Sequence, residues 1–325
     1  MEMGGYLPIE LVKGSGWFST VPQDKCWALN TGRTALWAAT MNLQPEKVFI
    51  PYYYCPDVIE MFQSLPVKVC FYRINENLLP RTEDLYSYTQ RDCLLLVDYF
   101  GILSSELLPY TELYPRIIFD FCHSFYTTPV MKEGVLNVYS CRKFFGVSDG
   151  AYLIGETLKK SELERDYSSD RASHLLISLE KGTNYAYQEN KANEEKIGKS
   201  HLTMSLLTEA ILNGVDYTHV ASSRKENYTF LQKCLVSLSR LPLPTREDIT
   251  PYCFPLLLNR DIHAQLVDRK IYTPYLWKWL LEDKWNGTIE QDLSRNLLPL
   301  PLDQRYRSDQ LQWMCDQILA ILAKE

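Results

Sequence analysis

The chain has 325 residues, 46% hydrophobic, 23% charged and 13% aromatic, proportions that exclude disorder, collagen and fibres and suit a globular protein of about two domains. With 34 Lys and Arg against 40 Asp and Glu the net charge is −6, spread along the chain, which argues against a phosphate-backbone binder. The start, MEMGGYLPIELVKGSG, has no apolar run of signal length and no membrane-spanning stretch follows, so a soluble, cytoplasmic protein with no membrane or nucleic-acid partner is expected.

A helix is predicted from Gly32 to about Leu43, because Ala35, Leu36, Ala38, Ala39 and Leu43 fall at helical spacing and Pro45 follows. Short apolar or β-branched runs recur at 48–51, 67–74, 93–100, 116–121, 135–140 and 151–155. Such continuous apolar strands between crossovers predict an α/β fold around a mostly parallel sheet buried on both faces. The segment 161–200 is polar, rich in Glu and Lys and nearly free of strand signal, and 202–235 reads as a long helical region. Residues 251–258 are strand-like, 296–301 extended, and 308–324 form an amphipathic closing helix capped by Ser308 or Asp309. This change of rhythm sets a domain boundary near residue 235. Nine cysteines, with no CxxC pair, read as reduced, buried thiols, and no metal is expected. Two Asn-x-Thr sequons, at Asn227 and Asn286, carry no meaning without export.

Three places carry candidate chemistry. In Asn30-Thr31-Gly32-Arg33-Thr34 a glycine turn opens the first helix; its unpaired N–H groups and dipole suit a phosphate, or the turn is only a cap. Ile117-Ile118-Phe119-Asp120 ends an apolar strand in a carboxylate, with His123 three residues on, at the strand end where open α/β sheets bind ligands. A carboxylate there can keep a heterocyclic nitrogen protonated, or can cap the next turn over a packed His123. Lys143 lies between two strands in Ser140-Cys141-Arg142-Lys143-Phe144-Phe145-Gly146. Shielded from water it would be a nucleophilic amine able to form a Schiff base; unshielded it is a surface charge. Penicillin-binding enzymes share the Ser-x-x-Lys spacing, but their Lys-Thr-Gly strand is absent and Ser148-Asp149 is followed by Gly150.

With these three places in this order, the chain resembles the fold-type I pyridoxal-phosphate (PLP) superfamily and, within it, a short branch of the DegT/StrS sugar aminotransferases. Gly4-Gly5-Tyr6, Pro51-Tyr52-Tyr53-Tyr54-Cys55, Phe71-Tyr72-Arg73, Arg142-Lys143-Phe144-Phe145-Gly146, Arg224-x-x-Asn227-Tyr228 and Leu298-Pro299-Leu300-Pro301 carry the likeness along nearly the whole chain. The resemblance implies a large domain with a mainly parallel seven-stranded sheet over residues 1–235, a smaller C-terminal α/β domain over 236–325, and a homodimer. It implies PLP as cofactor, held by Lys143 as a Schiff base and by Asp120 at the pyridine nitrogen. His123 would meet the ring hydroxyl, and Gly32, Arg33, Thr34 and Ser140 the phosphate. Tyr53 or Tyr54 would cover the ring, since Cys55 occupies the family's usual aromatic position, and Tyr99 would lie near substrate. The implied reaction carries an amino group from an amino acid such as glutamate to a keto acceptor such as a nucleotide-linked keto-sugar. The family's Asn-x-Arg motif, which reaches the partner subunit's cofactor phosphate, has no match in 182–190 or after it. That absence sustains an alternative, an inactive or cofactor-binding partner protein in a polysaccharide pathway. Trp277, Trp279 and Trp285 are expected as packing residues or as the lining of a substrate mouth.

Overall fold

The computed structural model describes residues 5, 7, 9–245 and 248–323; Gly4 and Tyr6 of the opening motif and Lys324 of the closing helix lie outside them. Seven strands form one sheet: β1 (Cys26–Leu29), β2 (Lys47–Pro51), β3 (Lys68–Tyr72), β4 (Cys93–Val97), β5 (Ile117–Asp120), β6 (Val135–Ser140) and β7 (Ala151–Gly155). Their order is β1-β7-β6-β5-β4-β2-β3. The sheet is parallel except at β7, which runs antiparallel to both neighbours. β4, β5 and β6 are buried along their whole length, the signature of strands covered on both faces. The reversal at β7 follows from chain length: residues 141–150 alone join it to β6, and a parallel crossover needs about a dozen or more. Register sets Val97 beside Asp120 and Asp120 beside Val138. The carboxyl ends of β4, β5 and β6 therefore share one edge of the sheet, and Lys143 follows directly from it. β1 has no counterpart among the predicted strands, because four residues behind a Pro22-led turn are too few for a pattern.

Helix α1 (Gly32–Leu43) spans its predicted range, with Ala35, Leu36, Ala38 and Ala39 buried and the helix packed on β6 and β7. Thr31 caps it, its hydroxyl accepting from the Thr34 N–H at 3.0 Å. Helices α2 (Pro56–Gln63), α3 (Ser104–Leu107) and α4 (Tyr110–Leu113) follow. The polar segment forms two helices, α5 (Ser173–Lys181) and α6 (Thr183–Lys196). α5 buries no side chain and α6 only Ala186 and Asn193, so no apolar stripe marks them in the sequence. The long helical region is also two helices, α7 (Leu206–Asn213) and α8 (Tyr217–Leu235). They part at Gly214, where a Cβ would stand 3.1 Å from the Val12 carbonyl oxygen, and Asp216 restarts the chain by accepting from the His219 N–H at 2.9 Å.

Beyond α8, β8 (Phe254–Leu257) and β9 (Leu297–Leu300) pair antiparallel, with α9 (His263–Asp268), α10 (Ile289–Asn296) and α11 (Ser308–Leu322) around them. The cap of α11 is Arg307, one residue before the expected pair, its N–H donating to the Gln310 side chain at 3.1 Å. Buried Asn227 of α8 donates to the carbonyls of Leu302 and Tyr306 at 3.0 and 3.1 Å. It fixes the loop before α11, so this sequon is occupied inside the fold. All nine cysteines are free; Cys93, Cys141, Cys253 and Cys315 are buried and the other five only partly so. Among the described residues no helix is long and apolar enough to cross a membrane, and no group of three His, Cys, Asp or Glu could hold a metal.

Candidate active site

Asp120 ends β5 almost wholly buried and keeps both carboxylate oxygens engaged. The Cys122 N–H donates to Oδ1 at 2.9 Å and the Tyr54 hydroxyl donates to Oδ2. Burial, reinforced by the Asp120 charge, holds the Tyr54 phenol well above its ordinary pKa, so it serves as a donor. Each oxygen retains a further lone pair for an incoming N–H. His123 is also buried; its Nδ1 accepts from the Phe100 N–H at 3.3 Å, and its ring lies between Phe100 (6.0 Å) and Tyr252 (4.8 Å). Burial first, and the Lys143 charge second, push its pKa well below the usual imidazole value. The ring is therefore neutral, and with Nδ1 accepting, the proton resides on Nε2.

Gly32 and Arg33, at the start of α1, face Asp120 and Ser140 across a cleft of about 420 Å³ that Tyr54, Cys55, His123, Lys143 and Trp277 also line. The approach is close: a Cβ on Gly32 would stand 3.0 Å from the Cys122 Sγ and 3.9 Å from the Ser140 Cβ. Lys143 is exposed to this cleft, with its Nζ 5.4 Å from the centre of the Tyr252 ring. Of the two alternatives, its aromatic neighbours do not shield it, because Phe144 and Phe145 turn inward onto Phe125 at 5.9 and 4.8 Å.

Three expected residues stand elsewhere. Thr34 is buried and its N–H is taken by the Thr31 cap, leaving Gly32 and Arg33 at the cleft. Tyr53 is fully buried, its ring against Tyr99 and Trp277. Tyr99 is buried too, its hydroxyl donating to the Tyr53 carbonyl at 2.6 Å. Tyr53 and Tyr99 thus back the 51–54 turn and line no part of the cleft, whereas Tyr54 does. Trp279 supports the same turn, Nε1 donating to the Tyr54 carbonyl at 3.1 Å, and Trp285 packs on Tyr52.

Sequence reasoning missed the contacts that surround the helix start. Arg142 pairs with Glu194, Arg33 donates to the Gly198 carbonyl, and Lys199 pairs with Glu60. The end of α6 is thereby strapped across the cleft, with Glu194, Glu195, Ile197, Gly198 and Lys199 in its wall. Adjacency of Arg142 to Lys143 was the one signal available. Tyr252, the ring between His123 and Lys143, lay inside a run readable only as a strand.

No protein-family model and no curated protein matches the chain. Solved structures do. The chain is similar to DesV of S. venezuelae, solved with a ketimine intermediate, at 15% identity and a TM-score of 0.64 over 95% of this chain and 87% of that one. The sugar aminotransferase CalS13 from Micromonospora echinospora matches at 13% identity and 0.62, over 91% and 87%. The putative sugar aminotransferase Spr1654 from Streptococcus pneumoniae, in its PMP form, matches at 13% and 0.63, over 95% and 89%. The chain therefore has the fold of the PLP-dependent transferases of fold type I, with its mostly parallel seven-stranded sheet.

Proposed function

We propose that this chain is a PLP-dependent aminotransferase that takes an amino group from an amino acid such as glutamate and delivers it to a keto-sugar or related keto substrate. The observation that carries the reading is the convergence on one cleft of Asp120 and Lys143, from the ends of consecutive strands, opposite the start of α1. The residues fit the cofactor. Asp120 offers free lone pairs to a protonated ring nitrogen, and the Nε2–H of His123 suits a ring oxygen. The N–H groups of Gly32 and Arg33 with the Ser140 hydroxyl suit the phosphate, and the guanidinium groups of Arg33 and Arg142 line the same wall.

When bound, PLP supplies an electron sink for the carbon that bears the migrating amino group. The chain's residues orient and move protons around it. Asp120, held by Tyr54 and the Cys122 N–H, stabilises the proton at the ring nitrogen. Lys143 Nζ would be the base that accepts and returns the proton of the reacting carbon.

In this reading residues 1–235 bind the cofactor and 236–325 form the smaller domain, in a cytoplasmic homodimer. Free thiols throughout agree with a reducing compartment. A second copy is supported by the α5–α6 pair, which exposes Leu176, Leu179, Tyr185 and Tyr187 and whose end walls the cleft. The test is the absorption spectrum of the PLP-loaded protein. A lysine-bound cofactor band that borohydride fixes to Lys143, that glutamate bleaches and that Lys143→Ala lacks is the expected result. A band indifferent to every amino acid would overturn the aminotransferase reading.

A further inference from the structure

A second cavity, of about 630 Å³, also borders Lys143 and does not include Asp120 in its lining. It lies between the β6–β7 connection and the C-terminal elements, with Arg224, Tyr252, Lys270, Arg305 and Tyr306 among its walls. The floor holds an unusual charge. Arg224 is 2% exposed and has no carboxylate within ion-pairing distance among the described residues. Its Nη1 donates to the Pro251 and Tyr252 carbonyls at 3.2 and 3.0 Å and its guanidinium lies 4.5 Å from the Phe144 ring centre, but Nε has no partner. Asp303 is near enough for its charge to act on Arg224 but makes no ion pair with it, and a buried cation whose hydrogen bonds go only to neutral groups is costly and can take an anion.

Of the two acidic groups of the chamber one is firmly engaged and the other is exposed to solvent. Asp303 is held by Arg305 at 2.7 and 2.9 Å, and Asp309 lies 3.8 Å from Arg307. Besides Lys143 this leaves two lining cations without a direct ion pair among the described residues, Arg224 at the floor and Lys270. Thr273 Oγ1 and Gln304 Oε1, from residues flanking the lining, are also buried without partners. The volume is that of a small-molecule site.

We propose that this chamber is a dicarboxylate site that seats a dicarboxylic amino acid, Arg224 and Lys270 meeting its two carboxylates and Lys143 standing at the boundary with the cofactor cleft. The proposal rests on the aminotransferase reading for its chemistry but not for its binding. The test titrates the PLP-loaded protein calorimetrically with glutarate, which cannot react, and with its uncharged diamide. Glutarate is expected to bind and the diamide not; Lys270→Gln should weaken glutarate about tenfold, or about 1.4 kcal/mol, without altering the cofactor band. Arg224→Lys, checked for an intact thermal transition, should weaken it as well. Equal affinity for the diamide, or unchanged affinity in Lys270→Gln, would overturn the site. If glutarate binds as expected while glutamate leaves the band untouched, the aminotransferase reading fails and the site stands. If glutamate bleaches the band and glutarate does not bind, the reverse holds.

Discussion

Asp98, the residue after β4, should give the protein a pH-dependent stability that Asp98→Asn removes. Its carboxylate is fully buried, Oδ1 accepting from the Leu103 N–H at 2.7 Å and Oδ2 from the Ser104 hydroxyl at 2.8 Å. Burial raises its pKa from 3.8 to about 6, against the pull of those hydrogen bonds. For an acid this means that the folded state holds the proton more tightly than the unfolded chain. The stabilisation is complete below the unfolded value and is lost as the pH climbs through the folded one. A displacement of that size amounts to about 3 kcal/mol. Asn keeps the volume and fixes the neutral form, so any constant offset cancels when the two proteins are compared across pH. Urea unfolding of both at intervals between about pH 4 and 7 should show the variant gaining about 2.4 kcal/mol on the wild type, the share of that displacement falling inside this window. Curves that run parallel over the whole range would refute the reasoning. The consequence reaches the site: the turn that Asp98 anchors carries Phe100, whose N–H fixes the tautomer of His123.

Tyr54→Phe keeps the ring and deletes a donor to buried Asp120; a loss of about 1.5–3 kcal/mol should appear as a lower urea midpoint at unchanged slope. In Gly101→Ala the backbone, at φ +76° with a Cβ 2.4 Å from the His123 carbonyl oxygen, must move. Thermal unfolding should fall by about 2–4 °C for each kcal/mol lost, and an unaltered midpoint would contradict the close approach. Glu194→Gln releases Arg142 from its ion pair and should tighten the binding of PLP, read from the quenching of tryptophan fluorescence; weaker binding would mean that the strap supports the cleft instead of competing for it.

The strands, and the places of Asp120 and Lys143 after them, were legible because each rests on a local rule. β4 to β7 are short buried runs, and Asp120 and Lys143 follow directly from their ends, so the sheet's parallel order carries both to one edge. Which of Tyr53 and Tyr54 reaches the cleft was not legible, because consecutive residues of a turn diverge, and nothing in Tyr99-Phe100-Gly101 says that the Tyr99 ring is buried. Tyr54 faces Asp120 while Tyr53 points into the core, and nothing in Pro51-Tyr52-Tyr53-Tyr54-Cys55 says which does which. α5 and α6 escaped notice because they bury almost nothing, and periodicity reports burial. The strap contacts of Arg33, Arg142 and Lys199 join residues 52 to 165 positions apart, beyond any window that a pattern can span.

The ten-residue return from β6 to β7 has a bearing on which changes this chain can tolerate. Ser140 pairs with Ala151 and Tyr139 with Tyr152, so the lysine is suspended from a ladder that moves only in whole steps. A single-residue deletion between them does not shift Lys143 by a fraction of an ångström. It either strains the loop or slips the pairing by one rung, turning Ser140 and its neighbours to the opposite face of the sheet. Small adjustments of the position of the Lys143 amine are thus available through the side chains around it, and hardly at all through the length of the backbone that carries it.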